Sequence, residues 1–489
     1  MTKPELLAPA GDFEKLQIAI NYGADAVYIS GPSFGLRAKA KNFGYGTDPA
    51  GQNTEPNTEP NAEPNTEMKQ AVSYAHQHGV KVYVTANIYA HNSDIDKMAG
   101  YFKTLADIGV DAFIISDPGV FSLAKKEAPD VEIHISTQAN TTNYASAQFW
   151  RDMGASRIIL ARELNLEEIA LIYGKLAGEI EGLPQNDTKC DAKNEVTNEV
   201  TNGLTNGLTL EAFVHGAMCM AYSGRCMLSR YMSGRDANLG NCAHPCRYNY
   251  RLYAEEVTRP GYFMPVEENE NGTDIFGAED LCMVAHIPAL IAAGIKSFKI
   301  EGRMKSAFYV GLATRTYRQA IDTVFADQKE YESRIPHYLE MLKMASHRPF
   351  TTGFYFGGFG AVGVGAVGTD HTAGFAGTDG IEVNSNNLEN YVPSIASYAR
   401  THDFVGIVRE YMPETRQAVI EQRNVFEAGD ILTFILPEGP DQDMNFSMKI
   451  ESIQLENGTV ITRAPHAQQR VLVTVDEPVQ PFTLVAREA

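Results

Sequence analysis

The sequence predicts an α/β protein: a (β/α)8 TIM-like barrel that carries a loop-borne cysteine cluster, followed by a small C-terminal antiparallel β-barrel domain. Three observations predict this fold. Amphipathic stretches end repeatedly in a glycine that is followed by a short apolar run. Five such runs and three further strand candidates occur within the first 300 residues. After residue 396 the helical period disappears, and short apolar runs alternate with turn residues, which is typical of a small β-barrel.

The repeated unit consists of an amphipathic helix, a glycine, two linking residues and a β-rich run. Glycine adopts the left-handed conformation at a helix C-terminus at little cost, so it ends the helix and turns the chain into a strand. The runs that follow are almost continuously apolar, as expected for strands that are covered on both faces. The five helix-ending glycines are Gly23, Gly79, Gly109, Gly154 and Gly294.

Alternating strands and helices imply a parallel sheet, and eight units suggest a closed barrel. An open, doubly wound sheet is the alternative, and the absence of a Gly-x-Gly-x-x-Gly motif after the first strand disfavours it. The predicted strands are Glu5–Ala10, Ala26–Ile29, Val82–Val84, Ala112–Ile115, Glu132–Ser136, Arg157–Leu160, Leu210–His215 and Ser297–Ile300.

The chain divides into a barrel over residues 1–340, a connecting segment over 341–395 and the β-domain over 396–489. Two inserts interrupt the barrel, at about 44–67 and 184–209. Both are polar and repetitive, with Asn-Thr-Glu-Pro and Thr-Asn-Gly-Leu repeats, and cannot bury a core, so we expect mobile surface loops.

Composition narrows the class of protein. Of the 489 residues, 44% are hydrophobic and 21% are charged, which excludes wholesale disorder. No apolar run is long enough to cross a membrane, and the start of the chain lacks the apolar core of a signal peptide. We therefore expect a cytoplasmic protein.

The net charge of −20 disfavours non-specific binding of nucleic acid over the whole surface, but two local runs are basic. Residues 215–251 contain five arginines against one acid, and tyrosines interleave with them. Residues 296–318 contain six basic residues against one acid. We expect these runs to hold RNA phosphates. The predicted RNA-binding residues are Arg225, Arg230, Arg235, Arg247, Arg251 and Lys305.

Four of the six cysteines lie within 28 residues: Cys219, Cys226, Cys242 and Cys246. The first gap, of six residues, is longer than structural zinc sites usually have. Four thiolates on a loop suit an iron–sulfur cluster, while zinc or free buried thiols remain alternatives. Because the segment follows the strand Leu210–His215, we expect it at the C-terminal mouth of the barrel, where such enzymes carry out their chemistry. Cys282 is expected to be a small buried hydrophobe.

Polar residues close several of the predicted strands and form a ring around one mouth. A single polar residue after a strand is usually a turn or a helix cap, and arginine–glutamate neighbours can form a structural ion pair at the rim. The functional interpretation is that Arg162 or Arg303 holds a substrate carboxylate or phosphate. The candidate catalytic residues are His134, Gln138, Arg162, Glu163, His215, Glu301 and Arg303.

The segment Glu211–Ser229, which reads EAFVHGAMCMAYSGRCMLS, closely resembles the signature of the collagenase-like peptidase family, peptidase family U32. The motifs ELLAPAG at Glu5–Gly11, YGADAVY at Tyr22–Tyr28 and KIEGRMKS at Lys299–Ser306 extend the resemblance. The C-terminal motif IEQRN at Ile420–Asn424 is similar to that of the longer members, which are tRNA hydroxylation proteins.

The resemblance implies installation of 5-hydroxyuridine at the wobble position of tRNA, dependent on prephenate as a co-substrate and independent of oxygen. It also implies an iron–sulfur cluster, of the 4Fe-4S kind, on Cys219, Cys226, Cys242 and Cys246. Related proteins hydroxylate a cytidine of ribosomal RNA, and the peptidase label comes from collagenase activity assigned to some members.

Two other classes of function stay open. A peptidase is one alternative, although the sequence has neither a His-Glu-x-x-His zinc motif nor a Gly-x-Ser-x-Gly elbow. A non-catalytic module, in which a zinc-bound loop docks a partner, is the other.

Overall fold

A computed structural model describes residues 2–35, 43, 66–178, 207–218, 267–269, 272–274, 279–357, 399–437 and 445–489. The centres of both predicted inserts, the four clustered cysteines and most of the connecting segment lie outside these ranges. The described chain resumes after each insert in regular structure, at Thr66 in a helix and at Thr209 in a strand.

Eight parallel strands close into a barrel, as the sequence predicts. Each strand pairs with the next along the chain, and the eighth pairs with both the seventh and the first. Their bounds lie within two residues of the predicted ones. The strands are β1 Glu5–Pro9, β2 Ala26–Ile29, β3 Lys81–Thr85, β4 Ala112–Ile115, β5 Glu132–Ile135, β6 Arg157–Ile159, β7 Thr209–Ala217 and β8 Ser297–Ile300.

Helices cover the outside of the barrel. In the described part of the chain they are α1 Phe13–Asn21, α2 Thr66–Gln77, α3 Asn92–Ile108, α4 Pro118–Glu127, α5 Tyr144–Met153, α6 Leu166–Ala177, α7 Ile287–Ala292, α8 Ala307–Ala326 and α9 Gln328–Met344. All five predicted helix-ending glycines have positive φ angles, between 72° and 94°. At Gly109 and Gly154 the left-handed residue is the C-cap itself, so the predicted helix stop is confirmed.

Side-chain caps begin several of these helices. Asp12 accepts a hydrogen bond from the Lys15 amide at the start of α1. Asn143 accepts one from Ser146 at the start of α5, and Asn165 forms a capping box with Glu168 at the start of α6. Because α1 follows β1 directly, Asp12 lies at the mouth of the barrel, where it caps the N-terminus of α1.

The strand Asp280–Cys282 departs from the barrel repeat. It pairs antiparallel with the end of β7, and the strand Phe350–Thr351 pairs with its outer edge. A short hairpin, Glu267–Asn269 with Gly272–Asp274, precedes it. Cys282 is buried with its thiol free, and burial raises its pKa to about 12, as expected for a small core residue.

The C-terminal domain is an antiparallel half-barrel with its own core. Its strands are β9 His402–Met412, β10 Gln417–Gln422, β11 Phe426–Glu427, β12 Ile431–Ile435, β13 Phe446–Lys449, β14 Ile453–Leu455, β15 Val460–Ile461, β16 Arg463–Ala464, β17 Arg470–Thr474 and β18 Leu484–Glu488. In the main sheet they run in the order β13-β12-β18-β9-β10-β17-β14-β15, and β11 pairs with β16 in a second, two-stranded sheet.

This domain packs against α1 and α8 of the barrel. The buried Tyr22 hydroxyl, at the end of α1, donates to the Ile435 carbonyl at 2.7 Å and accepts from the Leu484 amide at 3.0 Å. Near the other end of α1, Arg409 and Arg423 both form ion pairs with Glu14. The motif Ile420–Asn424 therefore contributes directly to docking.

Within the described ranges, no helix is both long enough and apolar enough to span a lipid bilayer.

Candidate active site at the barrel mouth

The segment that carries the clustered cysteines leaves the barrel and returns to it at the mouth. Strand β7 ends at Ala217, and the Met218 amide donates to the Glu279 carbonyl at 3.4 Å. Ala217 then pairs with Asp280 in the antiparallel strand. The described residues on either side of the segment, Met218 and Glu279, therefore meet at the C-terminal end of β7, and the position of the cysteines themselves stays a prediction. The four cysteines and the five arginines of the basic run 215–251 lie outside the described residues.

Arg162 and Glu301 form an ion pair across the mouth. The Arg162 Nη2 atom lies 3.0 Å from the Glu301 carboxylate, and Nη1 donates to the Ala217 carbonyl at 2.8 Å. The guanidinium also stacks over the Phe213 ring, 3.8 Å from its centroid. The pair joins the ends of β6 and β8 over the intervening β7, beside the base of the cysteine segment. Glu163 is half-buried and forms no ion pair with the described residues.

Arg303 forms a second contact across the mouth, from the loop after β8 to the end of β3. Its side chain is buried, and Nη1 donates to the Thr85 hydroxyl at the end of β3, at 2.9 Å. The backbone of Arg303 lies so close to Gly11 that a Cβ atom there would come within 2.1 Å of the Arg303 carbonyl oxygen. Because the clash would be with backbone, Gly11 must lack a side chain for the loops after β1 and β8 to meet.

Two amide side chains meet above the end of β4. The Asn87 Nδ2 atom donates to the Gln138 Oε1 atom at 2.6 Å, and Ser136 lies within 3.4 Å of both side chains. The Asn87 Oδ1 and Gln138 Nε2 atoms are buried and have no hydrogen-bond partner among the described residues. Buried polar atoms are rarely left unpaired, so this pair has capacity for a ligand.

Below the mouth, charged side chains fill the barrel interior. Glu211 is completely buried, with its carboxylate 3.0 Å from both Arg157 Nη1 and Lys299 Nζ. Arg157 also pairs with Glu5 from β1. Burial raises the pKa of Glu211, but the two cations outweigh that effect and hold its pKa below the usual value. The carboxylate is therefore ionised at neutral pH.

Sequence reasoning missed this interior network. Its members stand within strands that otherwise read as apolar, such as Glu211 between Leu210 and Ala212. A charged residue on the inner face of a buried strand was the signal that could have found it, because such a charge must be paired.

Both candidate histidines lie away from the solvent. His134 faces the interior network: its ring packs edge-on against Tyr83 at 4.6 Å, and its Nε2 atom lies 3.3 Å from the Glu132 carboxylate. His215 lies among aromatic rings, 5.7 Å from Tyr309 between ring centroids. Burial lowers the pKa of both, to about 3 for His215, so both rings are neutral at neutral pH.

The expectation that the basic run 296–318 presents its cations to RNA is wrong for most of its members. Lys299, Arg303, Arg315 and Arg318 are all buried. Arg315 donates to the Leu436 carbonyl in the C-terminal domain, and Lys305 lies 3.9 Å from Asp280. Lys299, Arg315 and Arg318 hold the barrel and its attachments together, because the eighth strand and α8 pack against the rest of the fold.

In the described residues the mouth therefore brings together Gln138, Arg162, Glu301 and Arg303. His134 and His215 lie beneath it or beside it. No group of three or more His, Cys, Asp or Glu residues with metal-binding geometry occurs in the part of the chain that the structure describes.

A polar mouth on a closed (β/α)8 barrel, joined to an antiparallel half-barrel, defines the class of this protein. Residues 11–48, 58–190 and 191–361 match peptidase family U32, and residues 400–486 match the peptidase family U32 C-terminal domain. The chain belongs to peptidase family U32.

Its relatives give a more particular comparison. The chain is 34% identical to tRNA hydroxylation protein P1 of Bacillus subtilis, over 99% of this chain and 95% of that protein. It is 31% identical to tRNA hydroxylation protein P of Escherichia coli, over 95% and 92% respectively. It is also 33% identical to the 23S rRNA 5-hydroxycytidine C2501 synthase of Escherichia coli, over 66% of this chain and 40% of that protein.

Proposed function

We propose that this protein hydroxylates the wobble uridine of tRNA to 5-hydroxyuridine, in a prephenate-dependent reaction at the barrel mouth, with an iron–sulfur cluster bound by the cysteine segment. One observation carries the proposal: the similarity to tRNA hydroxylation proteins extends over nearly the whole chain, including the C-terminal domain. The synthase that modifies ribosomal RNA matches a smaller share.

The donor set fits an iron–sulfur cluster. Cys219, Cys226, Cys242 and Cys246 would supply four thiolates, on a segment whose two ends are fixed at the mouth by Met218 and Glu279. A bound cluster would supply redox or Lewis-acid chemistry there. Zinc is the alternative for the same ligands.

Prephenate carries two carboxylates, and the mouth holds two arginines suited to them. Arg303 lies in the mouth itself, with a planar fork that can bind a carboxylate through two hydrogen bonds. Arg162 is held by Glu301 and the Ala217 carbonyl, next to the cysteine segment. In this proposal Arg303 orients the co-substrate, and the Arg162–Glu301 pair fixes the neighbouring wall of the site.

A tRNA anticodon loop suits a site of this kind. Its bases are unpaired, so turning one into a protein pocket costs little energy. The arginines at 225, 230, 235, 247 and 251 would hold the adjacent phosphates. Such a substrate implies a cytoplasmic protein.

Nucleoside mass spectrometry of tRNA from cells that lack this protein, with and without the wild-type gene restored, tests the proposal. We expect 5-hydroxyuridine derivatives to disappear and to return with the gene. Unchanged derivatives, in cells without a second copy of the activity, would overturn it. Loss of 5-hydroxycytidine from ribosomal RNA instead would favour that substrate.

A second measurement concerns the cofactor. Protein purified without oxygen should be brown, with absorbance at about 400 nm from thiolate-to-iron charge transfer. Colourless protein with stoichiometric zinc would contradict the cluster. Peptide cleavage that survives Cys219→Ala would support a peptidase.

A further inference from the structure

We propose that the Asn87–Gln138 pair is the pyrimidine-reading element of the mouth: its two unpaired amide atoms bind the N3–H group and an adjacent carbonyl of the target uracil. This inference rests on the proposed function, because it names the part of the site that recognises the base. It assigns a binding role to two side chains that close different strands.

The position of the pair suits a base that enters from the mouth. Asn87 follows the end of β3 and Gln138 follows the end of β5, and their side chains meet at 2.6 Å over the end of β4. Ser116, just after β4, donates to the Asn87 carbonyl at 3.4 Å. In (β/α)8 barrels, side chains from alternate strands share one interior layer, which explains how two amides from β3 and β5 can touch.

Both amides are constrained on the protein side. Gln138 is 4% exposed and lies in the middle of the short 3-10 helix Thr137–Ala139, whose N-cap is Ser136. The Ser136 hydroxyl accepts from the Gln138 amide nitrogen, and it can donate to the Gln138 side-chain oxygen, both at 3.4 Å. A pair held in this way loses little conformational entropy when a ligand binds.

The unpaired atoms match the edge of a pyrimidine. One is the Gln138 Nε2 donor and the other is the Asn87 Oδ1 acceptor. If both amides turned over together, the bond between them would reform and would still leave one donor and one acceptor. Uracil presents its own donor, N3–H, next to carbonyl acceptors, so each unpaired atom finds its complement.

A ligand that pairs with these two atoms would offset the free-energy cost of burying them. An amide group that is removed from water without a hydrogen bond destabilises the folded protein by about 1–3 kcal/mol. The interior network directly below shows that this barrel pairs its buried charges when no ligand is involved. The amide pair, at the ends of β3 and β5, breaks that pattern because it keeps a donor and an acceptor without a partner among the described residues.

The experiment measures how strongly the protein distinguishes two RNA hairpins. Both carry the anticodon stem-loop, one with uridine at the target position and the other with 3-methyluridine, whose methyl group replaces the N3–H donor. Full-length wild-type protein should bind the uridine hairpin about tenfold more tightly, because one hydrogen bond is lost and a methyl group is added.

The test variant is the double substitution Asn87→Leu/Gln138→Met. It replaces both amides with apolar side chains of similar shape and keeps the bond from the backbone amide of residue 138 to the Ser136 hydroxyl, so it is expected to fold. This variant should bind the uridine and 3-methyluridine hairpins with about equal affinity. Asn143→Ser, which keeps a capping oxygen at the start of α5, is the matched control and should keep the wild-type ratio.

The outcomes separate this inference from the proposed function. Equal binding of the two hairpins by wild-type protein, or an undiminished preference in the double variant, overturns the base-reading role while hydroxylation by wild-type protein can still stand. Failure of wild-type protein to bind either hairpin, together with unchanged 5-hydroxyuridine in deletion cells, overturns the proposed function itself.

Discussion

The mouth and the interior of the barrel are both lined by polar side chains, but the charges of the interior are paired while an amide pair at the mouth is not fully paired. In the interior, Glu211 accepts hydrogen bonds from Arg157, Ser297 and Lys299, and its charge is balanced. At the mouth, the Asn87–Gln138 pair keeps a donor and an acceptor without a partner among the described residues. From this difference we infer that the lower layer serves stability, and we propose that the upper layer serves binding.

Breaking the interior network should have the largest effect on stability. Glu211→Leu removes the carboxylate that neutralises Lys299 and Arg157, leaving buried cations poorly compensated. We expect the free energy of unfolding in urea to fall by about 3–5 kcal/mol. The comparison variant is Glu163→Gln, which changes a half-buried carboxylate at the mouth that forms no ion pair with the described residues. It should change the free energy of unfolding by less than about 0.5 kcal/mol. Equal effects would remove the distinction between the two layers.

The buried histidine at the end of β7 should make the protein sensitive to acid. In the unfolded chain His215 takes up a proton near pH 6.5, but in the folded protein its pKa is about 3. Unfolding therefore binds a proton between these values, and stability falls as the pH falls. When the pH falls from 7.5 to 5, the protonation of this residue in the unfolded chain should lower the free energy of unfolding by about 2 kcal/mol.

The variant His215→Phe checks this value. Its ring suits a site lined by Tyr309, Tyr317 and Phe350, and it does not titrate. The loss of unfolding free energy between pH 7.5 and pH 5 should be smaller in the variant by about 2 kcal/mol. Parallel curves for the two proteins would show that His215 titrates normally in the fold.

The amide pair at the mouth should have the smallest effect on stability. Asn87→Leu/Gln138→Met removes two unpaired atoms along with the bond between the amides and their two long bonds to Ser136. Because these losses and gains offset each other, we expect the free energy of unfolding to change by less than about 1 kcal/mol. Thermal or urea unfolding measures it. A loss as large as that of Glu211→Leu would mean that the pair is part of the barrel's framework.

Much of this fold follows from the sequence because its signals are local. Helix-ending glycines such as Gly109 and apolar runs such as Ala112–Ile115 locate each strand without knowledge of its neighbours. The order of units then fixes a parallel barrel, and the strand ends fix which residues reach the mouth. The predicted position of the cysteine segment depends on the same reasoning.

The pairing of side chains could not be predicted in the same way. Arg162 stands next to Glu163 in the sequence, but its partner is Glu301, because closure of the barrel brings the ends of β6 and β8 together. The basic residues after Ser297 read as an RNA-binding run, yet most are buried once β8 and α8 pack. Contacts between distant strands depend on closure, and a single sequence does not show which residues will then face each other.

The most direct test of the central claim, that the mouth carries out RNA hydroxylation, compares 5-hydroxyuridine formation and stability in Arg303→Lys. Lysine keeps the charge but loses the planar fork that would bind a carboxylate. In deletion cells that express the variant, we predict that tRNA contains at least about tenfold less 5-hydroxyuridine than in cells that express wild-type protein at the same level. The unfolding midpoint of the purified variant should lie within about 2 °C of the wild-type midpoint. Full 5-hydroxyuridine content with the variant would contradict the account.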